Sequence, residues 1–457
     1  MLMQKCYSIL LALTLCTLLL TNCAKQPPRQ TDELVICAEQ YDLKGMRQAV
    51  KKYRASYPDI SVRIEYLPSI KISNSGILDQ ASVADRESTI MRLRTELMSG
   101  SGVDLFLLPA NPLYQGTEGV YPLIADPLKS AQAGAFLDLN ELIDNDVDFS
   151  REALLAPVLE ACVVDGEQLL MPLSYTVQCA LLSAEHPKVN NILAAKKSFS
   201  EFWSALENNT DSANELLGIT GSRYPYLAFS LLESIDAYAL DPLTGSISLD
   251  NAAFHERYAI LEQYGPSIQA VLQNSPGTYV SEKFPEAVQQ GALVLSGSDI
   301  LQCIMDATYL DEHNIKPRLA YVPNEKNGIT ASIVSYGAIR RNSQNVLNAW
   351  NFLKMLLSPE FVTQQKDSLR LLACVPIWNE GLEQYIEYLN YGSISLQFTP
   401  EFVQDICSLP SQINGARISN DYERIFISSF SDVGQPTWNL DSTLSNLTSE
   451  CNAYQDE

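Results

Sequence analysis

Histidine is almost missing: three occur in 457 residues, His186, His255 and His313, far apart in the chain. That leaves little material for histidine-based acid–base chemistry or a zinc cluster. The sequence also has no H-E-x-x-H, no G-x-S-x-G elbow, no P-loop and no G-x-G-x-x-G. No metal site, no cofactor and no enzymatic activity is therefore expected. Gly and Pro are modest, at 21 and 23, which excludes a collagen-like or low-complexity chain. Basic residues are scarce: 31 Lys and Arg face 54 Asp and Glu, for a net charge of -23. Without a basic patch, nucleic acid is not an expected partner. None of the ten cysteines forms a C-x-x-C pair, so the chain does not read as a disulfide scaffold.

What is present is a substantial apolar inventory, 46% hydrophobic with 4 Trp, 22 Tyr and 14 Phe. The length supports a sizeable core, divided by default into two lobes. Lys5 precedes an apolar run from Cys6 to Leu20, too short for a membrane span and suited to a signal-peptide core. The run ends in Leu20-Thr21-Asn22-Cys23, which resembles a lipobox. A thiol placed at the membrane edge is the alkylation site, and acyl chains then hold the protein at the surface. Residues 1–22 are read as the lipoprotein signal peptide, Cys23 as the lipidated residue, and 23–33 as a tether. Cys37, Cys162, Cys179, Cys303, Cys374, Cys407 and Cys451 lie beyond it. They read as buried thiols, with one or two disulfides possible and the pairs undetermined by spacing.

Leu34 to Cys37 reads as a short strand, and Asp42 is placed to cap a helix with a stripe of Leu43, Met46, Val50, Tyr53 and Tyr57. Ile60, Val62, Ile64 and Tyr66 alternate as a second strand. Residues 68–84 read as loop, Asp85 as the cap of a helix closed by Gly100, and 104–109 as a buried strand. This βαβαβ order predicts a mostly parallel sheet with helices on its faces. Ligands in such sheets bind beyond the carboxyl ends of the strands, here near Gln40-Tyr41, Pro68-Ser69 and Ala110-Asn111. Further on, Gly166 marks a turn, Met171 to Tyr175 a crossing strand, and 329–339 a strand pair or one strand bent at Ser335-Tyr336-Gly337. Helical patterns cover 199–206, 226–238 and 254–264, with a short strand at 291–296. Asn345 is placed to cap a helix ending at Ser358-Pro359, and the last residues, 441–457, read as peripheral. Asp144-Asn145-Asp146-Val147-Asp148 has the acidic spacing of a calcium loop. The sixth and twelfth places hold Phe149 and Leu155 instead of Gly and Glu, so it reads as an exposed turn.

Several stretches, in order, resemble the extracellular solute-binding lipoproteins of ABC importers, in the sugar-binding group that includes maltose-binding protein. They are 49–62 with its Tyr57-Pro-Asp-Ile60 turn, 95–106 with Val103 in place of the usual proline, 134–139, 164–168, 171–175, 339–354 and 357–360. The resemblance covers about 34–380, is weak in the middle, and has no counterpart for the region after 380. It implies an α/β, two-lobe, type II periplasmic-binding-protein-like fold, with a hinge and a ligand cleft between the lobes. Lobe one would be 34–172 and 336–374, and lobe two 176–332 and 376–457. The chain would cross near 172–175, 333–336 and 374–378.

The implied function is capture of a carbohydrate, an oligosaccharide by preference, for delivery to ABC permease subunits. The implied location is the outer face of a cell membrane, Gram-positive by preference, through the lipid anchor. Tyr41, Asn111, Tyr175, Tyr336 and Trp378 follow or interrupt strands near the implied cleft, with packing in the core or between the lobes as the competing reading for each Tyr and Trp. Asp104 sits where the family motif lines its base, with a structural hydrogen-bonding role as the competing reading. The other classes considered are a surface adhesin or sensor lipoprotein without transport, and a glycan hydrolase using a carboxylate pair.

Overall fold

The computed structural model describes residues 33–73, 77–110, 122–185, 189–194, 198–207, 239–240, 247–248, 252, 255–256, 259, 294–296, 300–364, 372, 374–390, 398–418 and 439–455. Strand β1 (Glu33–Glu39) buries every side chain from Leu34 to Glu39, as expected of a strand covered on both faces of a parallel sheet. Helix α1 (Leu43–Ser56) leads to β2 (Ser61–Leu67), and α2 (Gln80–Met98) leads to β3 (Leu105–Pro109). Both β2 and β3 pair in parallel with β1, one on each side. Met46, Ala49 and Tyr53 form the buried stripe of α1.

Two capping expectations are corrected. Asp42 occupies the N-cap of α1 without a side-chain cap, because the chain enters through a single 3-10 turn, Gln40–Asp42. Helix α2 starts earlier than Asp85: the Asp79 carboxylate accepts from Ala81 N at 3.4 Å, so 80–84 is helix and not loop. Gly100 follows α2 with φ +72°, the left-handed conformation that glycine adopts at helix ends.

Short helices α3 (Pro127–Gln132), α4 (Asn140–Asn145) and α5 (Ala156–Glu160) precede a hairpin of β4 (Val163–Val164) and β5 (Glu167–Gln168). Its loop is Asp165-Gly166, both with positive φ, the geometry a two-residue hairpin demands. Strand β6 (Met171–Val177) runs almost directly into β7 (Cys179–Ser183). Helices α6 (Val189–Ala194) and α7 (Phe199–Glu207), the pair β8 (Ala239–Leu240) and β9 (Ile247–Ser248), and β10 (Val294–Ser296) follow. The helical patterns expected at 226–238 and 254–264 lie wholly or mostly outside the described residues.

Helix α8 (Ile300–Glu312) precedes β11 (Pro317–Tyr321), and β7 is the centre of a three-stranded antiparallel sheet, β10-β7-β11. Strand β12 (Ile329–Ile339) is one bent strand, with register shifts between Ile333 and Tyr336. After it come α9 (Val346–Leu357), α10 (Pro359–Gln364), β13 (Val375–Pro376), α11 (Leu382–Asn390), α12 (Pro400–Cys407), β14 (Ile413–Ile418) and α13 (Leu440–Gln455). The large sheet has the order β13-β6-β12-β3-β1-β2, with β14 also paired to β12. Antiparallel β12 thus sits between β3 and β6.

Helix α9 covers this sheet. A Cβ on Gly337 would run into Leu353 of α9, so glycine sets the close approach of strand and helix. The Tyr53 and Phe352 rings, 5.2 Å apart, join α1 to α9. The acidic run is exposed as expected at Asp144, Asn145, Val147 and Asp148, and Asp146 is the exception. Asp146 accepts from Trp350 Nε1 and Lys354 Nζ, each at 2.7 Å. Burial pushes its carboxyl up, and the bonds from Lys354, Trp350 and the Asp148 amide outweigh that, leaving it below the usual carboxylate range. The C-terminal segment is also less peripheral than its polarity suggests: α13 buries Leu447 and Cys451.

Candidate functional site

The carboxyl ends of β1, β2 and β3 converge through specific polar contacts. Arg86 of α2 is 2% exposed and grips Glu39, at the end of β1, with bonds of 2.8 and 2.7 Å. The same guanidinium donates to the Pro68 carbonyl beyond β2 at 2.8 Å. Gln40 accepts from Ser69 N at 2.8 Å. A bidentate pair of this kind fixes geometry as well as charge. Tyr41, half-buried in the turn after β1, stands at this end of the sheet. The Ala110 amide, just past β3, donates to the Val334 carbonyl at 2.8 Å, bringing this end against the bend of β12. Asn111 lies outside the described residues.

Across the crossing strands, residue parity separates two chemistries. Directly opposed residues of antiparallel strands share a face. Ser174 pairs with Ser335, and Thr176 with Ser332. Arg417 of β14 pairs with Ser332 and donates to its hydroxyl at 3.3 Å. The Ser174 and Ser335 hydroxyls are 2.8 Å apart. One face therefore carries Ser174, Thr176, Ser332, Ser335 and the half-buried Arg417. Where the strand ends, Gln178 is buried with its Nε2 unpartnered among the described residues. The other face of β6 carries Leu173, Tyr175 and Val177, opposite Ile333, Ala331 and Val375.

Four of the residues selected from sequence occupy other settings. Tyr175 and Tyr336 are fully buried members of the apolar core, and burial pushes both phenols well above their ordinary range. Their hydroxyls have no hydrogen-bond partner among the described residues. Nearness to a strand crossing does not decide where a side chain points. In mid-sheet the alternation of side chains decides the face, and Tyr175 lies on the apolar one. Trp378 is 4% exposed, and its indole N–H donates to the Leu357 carbonyl at 2.8 Å, at the end of α9. It borders a cavity of about 570 Å³ with Phe149, Glu152, Lys354, Pro359 and Asn379. No residue from the carboxyl ends of β1, β2 or β3 lines that cavity.

Asp104 lies at the opposite, amino-terminal end of β3. One oxygen accepts from Val35 N and Asn345 Nδ2, each at 3.0 Å, and the other from Ser343 Oγ at 2.8 Å. Arg340 stands 3.5 Å away and is itself bonded to the Val103 carbonyl. Of the two readings of Asp104, this setting is the structural one: it ties β1, β3 and the entry to α9. Asn345, expected to cap α9 with its side chain, bonds Asp104 and the Glu33 carbonyl instead.

The residues that sequence reading missed are the hydroxyls of β6 and β12, Arg417 and the Glu39–Arg86 pair. The signal for the first was present in Leu173-Ser-Tyr-Thr-Val177, a strict alternation of apolar and hydroxyl side chains. Among the described residues no group of three or more His, Cys, Asp or Glu is placed to hold a metal ion. No helix among them is long and apolar enough to cross a membrane.

Against known proteins, no family model and no curated protein sequence matches this chain. Solved structures do. The ABC substrate-binding protein of Listeria monocytogenes in complex with cycloalternan is similar over 93% of this chain and 99% of that chain, at 15% identity and a TM-score of 0.56. An extracellular solute-binding protein family 1 member from Alicyclobacillus acidocaldarius matches over 95% and 100%, at 12% identity and a TM-score of 0.60. The sugar-binding protein MalE of Xanthomonas citri matches over 93% and 97%, at 11% identity and a TM-score of 0.60. What is shared at such identities is the fold: the two-domain α/β architecture of the type II periplasmic-binding-protein class.

Proposed function

We propose that this chain is an extracellular solute-binding protein that captures a carbohydrate, an oligosaccharide by preference, and presents it to ABC permease subunits. Lipid on Cys23 would hold it at the outer face of the membrane, with 23–33 as the tether. The two lobes would divide at β6, β12 and β13, with 34–172 and 336–374 on one side and 176–332 and 376–457 on the other. One observation carries the reading: the half-buried Ser332 and Arg417, bonded side chain to side chain, border a run of buried hydroxyls, Ser174, Thr176 and Ser335, that reaches the carboxyl end of β3. Hydroxyls both donate and accept, and a guanidinium supplies fixed donors, which suits the alternating polarity of sugar hydroxyls. Tyr41 and Asn111 would contribute from the strand ends.

Titration calorimetry against a panel of mono- and oligosaccharides tests this reading. Saturable binding of at least one saccharide, without product formation, is expected. Absence of binding across the panel, or turnover of a bound glycan, defeats it. Cys23→Ala is expected to move the folded protein from the membrane to the soluble fraction, and unchanged membrane association defeats the anchor.

A further inference from the structure

Seven cysteines lie within the described residues, most of them buried and separate. Two are in contact. Cys179, the first residue of β7, and Cys303, on the first turn of α8, are both fully buried with their Sγ atoms 2.7 Å apart. That separation is well inside the van der Waals contact of two thiols and close to the reach of a covalent bond. The two residues sit on packed elements: Cys179 pairs with Ser296 of β10 and Tyr321 of β11, at the centre of the small sheet, and α8 lies against that sheet.

We propose that Cys179 and Cys303 are a site of oxidative modification, joined as a disulfide in the mature protein. The geometry carries the pairing by itself; the oxidising compartment rests on the export proposed above. The step balances as thiol–disulfide exchange. One thiolate attacks an oxidised dithiol, either an exported thiol oxidoreductase or oxidised glutathione, and the second thiolate displaces the mixed disulfide. The two thiols lose two protons and two electrons as their S–S bond forms, and the oxidant's S–S bond is reduced to two thiols. Since both sulfurs are shielded in the folded chain, exchange has to occur before α8 closes on β7. The bond would join residues 124 apart in sequence, closing a long loop whose restriction in the unfolded chain stabilises the native state.

The full chain is isolated from the surface and cytoplasmic fractions of an expressing bacterium. A cytoplasmic sample is reduced, denatured and refolded in a glutathione redox buffer. Each sample is alkylated with N-ethylmaleimide under denaturing, non-reducing conditions and mapped by peptide mass spectrometry. A linked Cys179–Cys303 peptide is expected in the refolded and surface samples. Alkylation of both residues in the refolded protein, or equal linkage of either to other cysteines, overturns the proposal. A link in the refolded sample with no chain at the surface retains the disulfide and rejects export. Reductant is expected to lower the melting temperature of the linked protein by about 5 °C. The Cys179→Ser/Cys303→Ser protein is expected to show no such reductant dependence, and an equal fall in both proteins also overturns the proposal.

Discussion

The two faces of β6 are both buried, yet they are built from opposite chemistry. Leu173, Tyr175 and Val177 fill the core, while the hydroxyl residues Ser174 and Thr176 are 0% and 5% exposed. An apolar face is stabilised by burial itself. A hydroxyl face becomes stable only by finding partners, as Ser174 does with Ser335. The comparison separates a face held by apolar packing from one held by hydroxyl pairing, whose half-buried end, Ser332 and Arg417, is the proposed ligand contact.

The largest effects should come from the apolar side. Trp378→Ala and Tyr175→Ala each remove a buried aromatic ring and are expected to cost about 3–5 kcal/mol in denaturant unfolding of the unliganded protein. A loss below about 1 kcal/mol would show that these rings do not pack as described. Gly337→Ala forces strand and helix apart at Leu353 and is expected to cost about 1–3 kcal/mol, with the melting temperature as readout. Tyr175→Phe should act in the other direction. It removes a buried hydroxyl that has no partner among the described residues, and stability is expected to rise by about 1 kcal/mol; a fall would reveal a bond to that hydroxyl. The smallest change in stability is expected for Arg417→Ala, within about 0.5 kcal/mol. The same substitution is expected to weaken binding of the identified saccharide about 10- to 100-fold, the loss of a charge-assisted hydrogen bond. Unchanged calorimetric affinity in Arg417→Ala would remove this residue from the ligand face and leave only the hydroxyls.

The order of the first three strands and two helices was legible because burial imposes a period on the side chains. Leu34 to Glu39 is apolar nearly throughout, and Met46, Ala49 and Tyr53 recur at helical spacing. The bend at Ser335 was legible for the same reason: polar and small residues interrupt an apolar run. The site was less legible. An aromatic ring suits a sugar platform and a core alike, and Tyr175 and Tyr336 fill the core. Asp104 was placed by motif similarity, and its setting depends on Ser343 and Asn345, more than two hundred residues away. Pairings such as Glu39 with Arg86, or Cys179 with Cys303, have no periodic signature. They join elements whose adjacency only the tertiary fold creates.

The change of neighbours along β12 bears on how the chain is assembled. Residues 329–333 lie between β6 and β14, and residues 335–339 lie beside β3. Until β12 emerges, β3 lacks a partner on one edge and β6 on both, because β13 and β14 arrive later still. A nascent chain released before residue 329 would present these unpaired strand edges to its surroundings, the arrangement that invites aggregation. The large sheet is closed by a late, long-range insertion, so its folding should be slow for its stability. Keeping the chain unfolded until it is complete would protect it during synthesis.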